Sequence, residues 1–228
     1  MKIAALVSGG KDSVFAVQKM IKAGHEIVCL VCLVPENNES YMYHCVNTNL
    51  VQEISKACSI PLFYQSTSGV KEEELFEMEF ILSRLVLEQG IVGVCSGAIE
   101  SEYQKSRIDK VCSALNLQSF SPLWKADPKQ LLLEMIQSGM DIRFAAVAAD
   151  GLDESWLGRR LDMEALEDLK KLNQTKHVHI AGEGGEFETA VLDAPFFTKI
   201  IVPVRENIRW YGNHGFYDIL ETKLIPKI

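Results

Sequence analysis

The 228-residue chain lacks several things, and each absence narrows its function. No apolar run approaches the roughly 18 residues that a membrane-crossing helix needs, so no membrane role is expected. Cationic residues are in deficit, 23 Lys and Arg against 31 Asp and Glu, giving a net charge of −8. An acidic chain is poorly suited to neutralising a phosphate backbone, so no stable nucleic-acid binding is expected, although a local basic groove remains compatible with this balance. Low-complexity linkers and internal repeats are absent, which excludes solenoids and disordered arrays. There is no Ser-His-Asp order, no nucleophile elbow and no visibly activated cysteine. An internal glutaminase is therefore not expected. Six cysteines include one C-x-x-C pair, Cys29 and Cys32, but no second pair follows at zinc-finger spacing. The pair sits inside an apolar run, so it reads as small buried hydrophobes rather than a metal or redox site. The apolar stretch before Ser8 is too short for a signal-peptide core and has no basic leader. A cytoplasmic location is expected.

What is present is an ordinary globular composition, 47% hydrophobic and 24% charged. Strand and helix signals alternate through the first half. Apolar runs at 3–7, 27–34, 62–64 and 91–95 predict buried strands. Helical periodicity follows the first run to a C-cap at Gly24, begins again at a capping box on Asn49 with Gln52, and recurs over 72–89 and 103–115. This order implies a parallel sheet with helices on both faces, a Rossmann-like α/β architecture. The pattern changes after Pro122-Leu123-Trp124. Asp127-Pro128 with Gln130 starts a helix that ends at Gly139. A strand is expected at 144–149 and a helix from Asp162 to about 172. Two strands, 199–210 and 216–224, join around Gly212-Asn213-His214-Gly215. The expected organisation is an α/β domain over 1–124 and a smaller α+β domain over 125–228.

Ser8-Gly9-Gly10-Lys11-Asp12-Ser13 lies between the first strand and the first helix. Ligands of open α/β sheets bind at the carboxyl ends of the strands. The glycines permit a tight turn and a close backbone approach, and the helix start presents unpaired N–H groups to an anion. Ser8 and Ser13 add hydroxyls and Lys11 a point charge. Asp12 makes sense beside a polyphosphate as a ligand of Mg²⁺, whose charge offsets both. The string differs from the Gly-x-x-x-x-Gly-Lys-Ser/Thr phosphate loop. It resembles the loop of the N-type ATP pyrophosphatases, the PP-loop enzymes. That resemblance implies an adenine nucleotide alpha-hydrolase-like fold, ATP as cosubstrate, cleavage between its α and β phosphates, and an adenylated intermediate.

Two further strings stand on the same side of the expected sheet. Gly97-Ala98-Ile99-Glu100-Ser101-Glu102-Tyr103-Gln104-Lys105-Ser106-Arg107-Ile108 follows the fourth strand. Gly97 permits close approach, Ala98 and Ile99 offer an apolar shelf for adenine, and Lys105 and Arg107 are either anion contacts or a solvated helix face. Gly182-Glu183-Gly184-Gly185-Glu186-Phe187-Glu188-Thr189 carries three carboxylates within six residues, on a glycine-rich loop leading into a strand. Glu183, Glu186 and Glu188 fit metal support, general-base work on an amine, or capture of a cationic substrate group.

Together with Ser40-Tyr41-Met42-Tyr43-His44 and Pro122-Leu123-Trp124, these strings resemble the diphthine–ammonia ligase family from residue 1 to about 210. The first loop is shared across the superfamily. The glutamate-rich loop combined with Tyr103-Gln104-Lys105-x-Arg107 is the specific part. The resemblance implies ATP-dependent conversion of diphthine on elongation factor 2, with ammonium, to diphthamide, AMP and pyrophosphate. It implies ATP and Mg²⁺ as cofactors, and the chain resembles the short form of the family, without added C-terminal domains. Roles by residue are then expected as follows. Lys11, Asp12, Glu183, Glu186 and Glu188 act catalytically. Ser8, Gly9, Gly10, Lys11, Asp12, Ser13, Gly97, Ala98, Lys105 and Arg107 hold the nucleotide, and Asp12 binds the metal.

Other residues carry weaker signals. His44 follows the second strand and would suit a base or an adenine or ribose contact. His177 and His179 share a face if their segment is extended, but lack a third metal ligand by spacing. Trp124 and Trp156 read as packing groups, and Asp150-Gly151-Leu152-Asp153 as a helix-capping turn. A homo-oligomer is compatible with the sequence. The rival readings are another PP-loop adenylating reaction, such as tRNA modification, and a non-catalytic ATP-binding sensor.

Overall fold

The computed structural model describes residues 1–35, 49–67 and 73–227. His44 and the Ser40–Tyr43 string lie outside the described residues, as does residue 72, where the third helix was expected to begin. Five strands, β1 (Lys2–Leu6), β2 (Glu26–Pro35), β3 (Leu62–Thr67), β4 (Gly93–Cys95) and β5 (Gln118–Phe120), form a wholly parallel sheet in the order β3-β2-β1-β4-β5. The helices α1 (Lys11–Lys22), α2 (Leu50–Cys58), α3 (Glu73–Gln89) and α4 (Glu102–Ala114) alternate with them. This is the Rossmann-like α/β fold that the alternating signals predicted.

Side-chain alternation decides which helix covers which face. Ile3, Ala5, Leu30 and Cys32 point to the side that holds Val14, Val17, Leu50 and Ile54 of α1 and α2. Ala4, Leu6, Cys29 and Val31 point to the opposite side, against Met78, Leu82 and Leu85 of α3 and Ile108 and Val111 of α4. The same alternation explains the C-x-x-C pair. Three residues apart on a strand, Cys29 and Cys32 enter different cores and cannot share a ligand or a disulfide. Burial pushes the thiols of Cys29 and Cys95 up to about 12, so neither is a nucleophile at neutral pH.

The second half builds an antiparallel sheet in the order β7-β6-β9-β8, from β6 (Asp141–Val147), β7 (Phe187–Asp193), β8 (Lys199–Trp210) and β9 (Gly215–Pro226). Helices α5 (Pro128–Gln137) and α6 (Met163–Lys176) precede and interrupt it. Asp127 caps α5 by accepting from Gln130 N–H at 2.9 Å, and Asp162 caps α6 by accepting from Ala165 N–H at 2.9 Å. The expected side-chain cap at Asn49 does not form. Asn49 already has helical backbone angles, φ −64° and ψ −24°, so its side chain cannot lie back over the first turn as an extended cap residue does. The expected strand at 144–149 instead spans Asp141–Val147.

The two sheets share one continuous core. Buried residues of α1 and α2 belong to the same cluster as Leu132, Met135, Ile142, Phe144, Leu166 and Val191 of the second half. The helices α1 and α2 are therefore buried between the parallel sheet on one side and the antiparallel sheet on the other. Thr198 fastens the layers, donating both N–H and hydroxyl to the Ala57 carbonyl at 2.7 and 2.8 Å. Phe144 lies fully buried at the centre of the second layer, edge-on to Trp156 at 4.9 Å and to Phe187 at 5.1 Å. Phe144→Ala should cost about 3–5 kcal/mol of stability. Because the core is shared, denaturant unfolding followed by far-ultraviolet circular dichroism should shift as a single transition. An early, separate unfolding step of one half would contradict a common core.

Candidate active site

A parallel sheet of this order reverses direction between β1 and β4, and the loops that leave those two strands diverge to open a crevice. The loop after β1 is Ser8–Ser13, and the loop after β4 contains Gly97. They approach so closely that a Cβ on Gly97 would stand 2.6 Å from the Asp12 carbonyl carbon and 2.6 Å from the Ser13 nitrogen. Only glycine fits there. Gly9 turns the first loop with φ +87°, in the left-handed region that glycine enters at low cost.

A cavity of about 480 Å³ fills the crevice. That lies within the range of small-molecule sites. Ser8, Gly10, Lys11, Asp12 and Ser13 line it from the first loop, and Ser96, Gly97, Ala98, Ile99, Ser101 and Gln104 from the second. Leu6, Val7, Val31, Leu33 and Ile108 add apolar wall. The third contribution comes from the antiparallel half: Gly182, Glu183, Gly184, Gly185, Phe187, Glu188 and Thr189 close over the same space. Three strings far apart in the chain thus meet around one cavity.

The third string is bonded to the first. Thr189 Oγ1 accepts the Lys11 N–H at 3.0 Å, and Val191 N–H donates to the Gly9 carbonyl at 3.0 Å. The Lys11 side chain is 4% exposed. Its ammonium donates to the Ala181 carbonyl at 2.6 Å and to Asp12 Oδ2 at 2.8 Å, and stands 5.4 Å from the centre of the Phe187 ring. A buried cation without such partners would be strongly destabilising. Within the loop, Ser13 Oγ accepts from Ser8 N–H at 3.2 Å and donates to the Gly10 carbonyl at 3.1 Å. Gly10, the residue before α1, has no side chain to cap it, and of the opening amides that of Lys11 is taken by Thr189. The other N-terminal amides of α1 open on the cavity with the positive end of the helix dipole.

Asp12 Oδ1 is buried and has no hydrogen-bond partner, while Oδ2 is held by Lys11. This is the arrangement expected of a carboxylate that lends one oxygen to a cation. Among the described residues no group of three or more His, Cys, Asp or Glu side chains is placed to hold a metal. A divalent ion at Asp12 would take its other oxygens from bound phosphates and water, as Mg²⁺ commonly does.

The three glutamates have different surroundings. Glu183 and Glu188 line the cavity and Glu186 does not. Glu186 folds back on its own loop, accepting from the N–H groups of His179 at 2.9 Å and Gly184 at 2.8 Å. Glu183 Oε2 accepts from Glu100 N–H at 3.3 Å. Glu183 is exposed as a residue, yet the protein atoms crowding its carboxyl push its pKa up, and the charge of Asp12 adds to this. Lys11 and the Glu100 N–H pull the other way without reversing the direction.

Lys105 and Arg107 stand apart from the cavity lining. Lys105 pairs with Asp109 one turn along α4 and lies 5.5 Å from the centre of the Trp124 ring. The Arg107 guanidinium stacks on Tyr103, 3.5 Å from the ring centre. Ser101 caps the helix by accepting from Gln104 N–H at 3.3 Å, and Ser101 and Gln104, not Lys105, line the cavity. His177 is the left-handed C-cap of α6, φ 58°, so it and His179 do not share an extended face.

Known proteins align with both halves. The model of the diphthamide synthase N-terminal domain matches residues 1–119, and that of the diphthamide synthase C-terminal domain matches 127–225. The chain belongs to the diphthamide synthase family. It is 39% identical over 226 residues to the diphthine–ammonia ligase of Homo sapiens, covering 89% of this chain and 82% of that protein. The Danio rerio diphthine–ammonia ligase is 38% identical over 231 residues, covering 91% and 89%. A longer relative of the same name, from Saccharomyces cerevisiae, is 38% identical, and the match spans 33% of its length. Among solved structures, a predicted subunit of a tRNA methyltransferase from Methanocaldococcus jannaschii is 16% identical, with a TM-score of 0.41 over 86% of this chain and 98% of that one. Likeness at that level decides nothing about substrate.

Thr189, Ala181 and Glu100 hold the site together through the bonds described, although their residue types did not mark them. Thr189 closes the acidic string and follows Phe187 by two positions, which is the one sequence signal that both face the same way. The raised pKa of Glu183 sets a stability test. A carboxyl whose folded pKa is raised contributes stability below its unfolded pKa and loses it as pH rises through the folded pKa. Glu183→Gln should therefore raise the melting temperature near pH 8 relative to wild type. The gain should vanish near pH 4, where both side chains are neutral. Equal melting temperatures at the higher pH would mean that the Glu183 carboxyl is neither crowded by protein nor held near Asp12.

Proposed function

We propose that this chain is an ATP-dependent amide ligase that activates the carboxylate of diphthine on elongation factor 2 and transfers ammonia to it, giving diphthamide, AMP and pyrophosphate. The observation that carries the reading is the meeting of a PP-loop and an acidic loop around one cavity, in a chain that aligns with diphthine–ammonia ligases over nearly its whole length.

In this reading Ser8, Gly10, Lys11, Ser13 and the amides that open α1 hold the β and γ phosphates. Gly97 lets the second loop approach the nucleotide, and Ala98 and Ile99 supply an apolar surface for adenine. The unpartnered Oδ1 of Asp12 would hold Mg²⁺, which would supply charge neutralisation when bound. The acceptor carboxylate oxygen attacks the α-phosphorus, the bond to the bridging oxygen breaks, and pyrophosphate leaves with the electron pair. Ammonia then attacks the acyl carbon, the bond to the AMP oxygen breaks, and nitrogen loses a proton. Glu183 is the residue assigned to that proton, since a carboxylate with a raised pKa is the better base. Glu188 is assigned to the cationic end of diphthine, whose trimethylammonium group suits a carboxylate at the cavity wall. Glu186 shapes the loop, and Lys105 and Arg107 serve from α4 outside the cavity. The setting proposed is the cytoplasm.

Lys11→Ala should lower kcat/KM for AMP formation by on the order of 100-fold or more, because a preorganised charge aimed at the leaving phosphates is lost. Mass spectrometry of the elongation-factor peptide checks the product. Conversion of its carboxylate to a carboxamide by wild type, and not by Lys11→Ala, is expected. Unimpaired turnover by the variant would sink the assignment.

A further inference from the structure

The imidazole of His179 sits behind the acidic loop and has no role in the scheme above. Its Nδ1 accepts two backbone N–H groups, that of Ala181 at 3.2 Å and that of Glu183 at 3.3 Å. A ring nitrogen accepts only when unprotonated, so the proton of this neutral ring is on Nε2. Nε2 stands 3.8 Å from Glu100 Oε2, and the backbone N–H of the same Glu100 donates to Glu183. His179 itself is fixed through its own N–H, which Glu186 accepts. The two residues that bond Nδ1 are the two that reach the cavity's charges. The Ala181 carbonyl holds the Lys11 ammonium, and the Glu183 carboxyl is pushed toward protonation by its crowding and by Asp12.

We infer that His179 is a positioning residue of the active site: it clasps the 181–183 turn so that the antiparallel half supplies the carbonyl that aims Lys11 and closes Glu183 against Glu100. The alternative, a histidine that merely fills space, has no use for an acceptor nitrogen. A bulky ring alone would serve. The clasp also explains why Lys11, a residue of the nucleotide loop, takes a partner from the other half rather than only from its neighbour Asp12. Half-exposed, with side-chain exposures of 28% and 43%, His179 and Glu100 cross the boundary between the halves at the cavity rim. Without the clasp the 181–183 amides would bond water, the Ala181 carbonyl would turn, and the lysine would lose its fixed direction.

The inference rests on the ligase reading only for its effect on catalysis, so two readouts are needed. Asn carries an acceptor oxygen at the same remove from Cα as Nδ1, whereas Phe keeps a ring and offers none. Amide hydrogen exchange on the full chain, followed by NMR, should show unchanged protection at residues 181 and 183 in His179→Asn and lost protection at both in His179→Phe. AMP formation by His179→Phe should fall on the order of 10–100-fold in kcat, with KM for ATP moved far less, since misaimed charge costs the transition state more than the ground state. His179→Asn should recover most of that loss, and the two variants should melt within a few degrees of one another. Unchanged protection in His179→Phe overturns the clasp whatever the enzyme's activity. So does equal impairment of the Asn and Phe variants. Failure of wild type to form AMP would instead remove the ligase reading, and the exchange rates at 181 and 183 would still decide whether the clasp exists.

Discussion

The site depends on one buried cation. At 4% exposure the Lys11 ammonium cannot rely on water, and Asp12 alone leaves donors unsatisfied. The carbonyl of Ala181 supplies a second acceptor from the far half of the chain. Satisfying that charge fixes where the acidic loop must lie, and the loop in turn draws Glu183 and Glu188 to the cavity. The bonds of Thr189 and Val191 to Lys11 and Gly9 of the Ser8–Ser13 loop repeat the constraint. The lysine of the first loop is thus also a bolt between the two halves of the chain.

Topology provides the space for it. The order β3-β2-β1-β4-β5 separates the loops after β1 and β4, and the missing side chain of Gly97 lets them draw together again beneath the cavity. The antiparallel sheet adds what a bare nucleotide fold lacks, a wall of carboxylates facing the phosphate loop. The shared core around α1 and α2 holds that wall in place, so both sides of the cavity belong to one packed body.

Much of this was legible from residue order, and the reasons are local. The parallel sheet followed from apolar runs alternating with helical periodicity, and the phosphate loop from glycines and a lysine between a strand and a helix. The caps at Asp127 and Asp162 followed from side-chain chemistry alone. Short β5 was missed because three residues carry no period, and β4 came out shorter than its apolar run because burial does not require pairing. The cap at Asn49 failed because backbone angle, not residue type, decides where a side chain lies. Lys105 and Arg107 resembled anion contacts in sequence, but Asp109 and Tyr103, one turn away, offered nearer partners. The pairing of Ala181 with Lys11 could not be read at all, since a carbonyl has no residue type and its partner lies 170 positions away.

In the ligase proposed, ATP is cleaved between its α and β phosphates to activate an acceptor carboxylate. The direct measurement is product analysis with α-labelled ATP and Mg²⁺, with and without diphthine-bearing elongation factor 2 and ammonium. Labelled AMP, with pyrophosphate, is expected only when acceptor and ammonium are both supplied for turnover. Labelled ADP, or AMP formed at the same rate without the acceptor, would contradict this proposal.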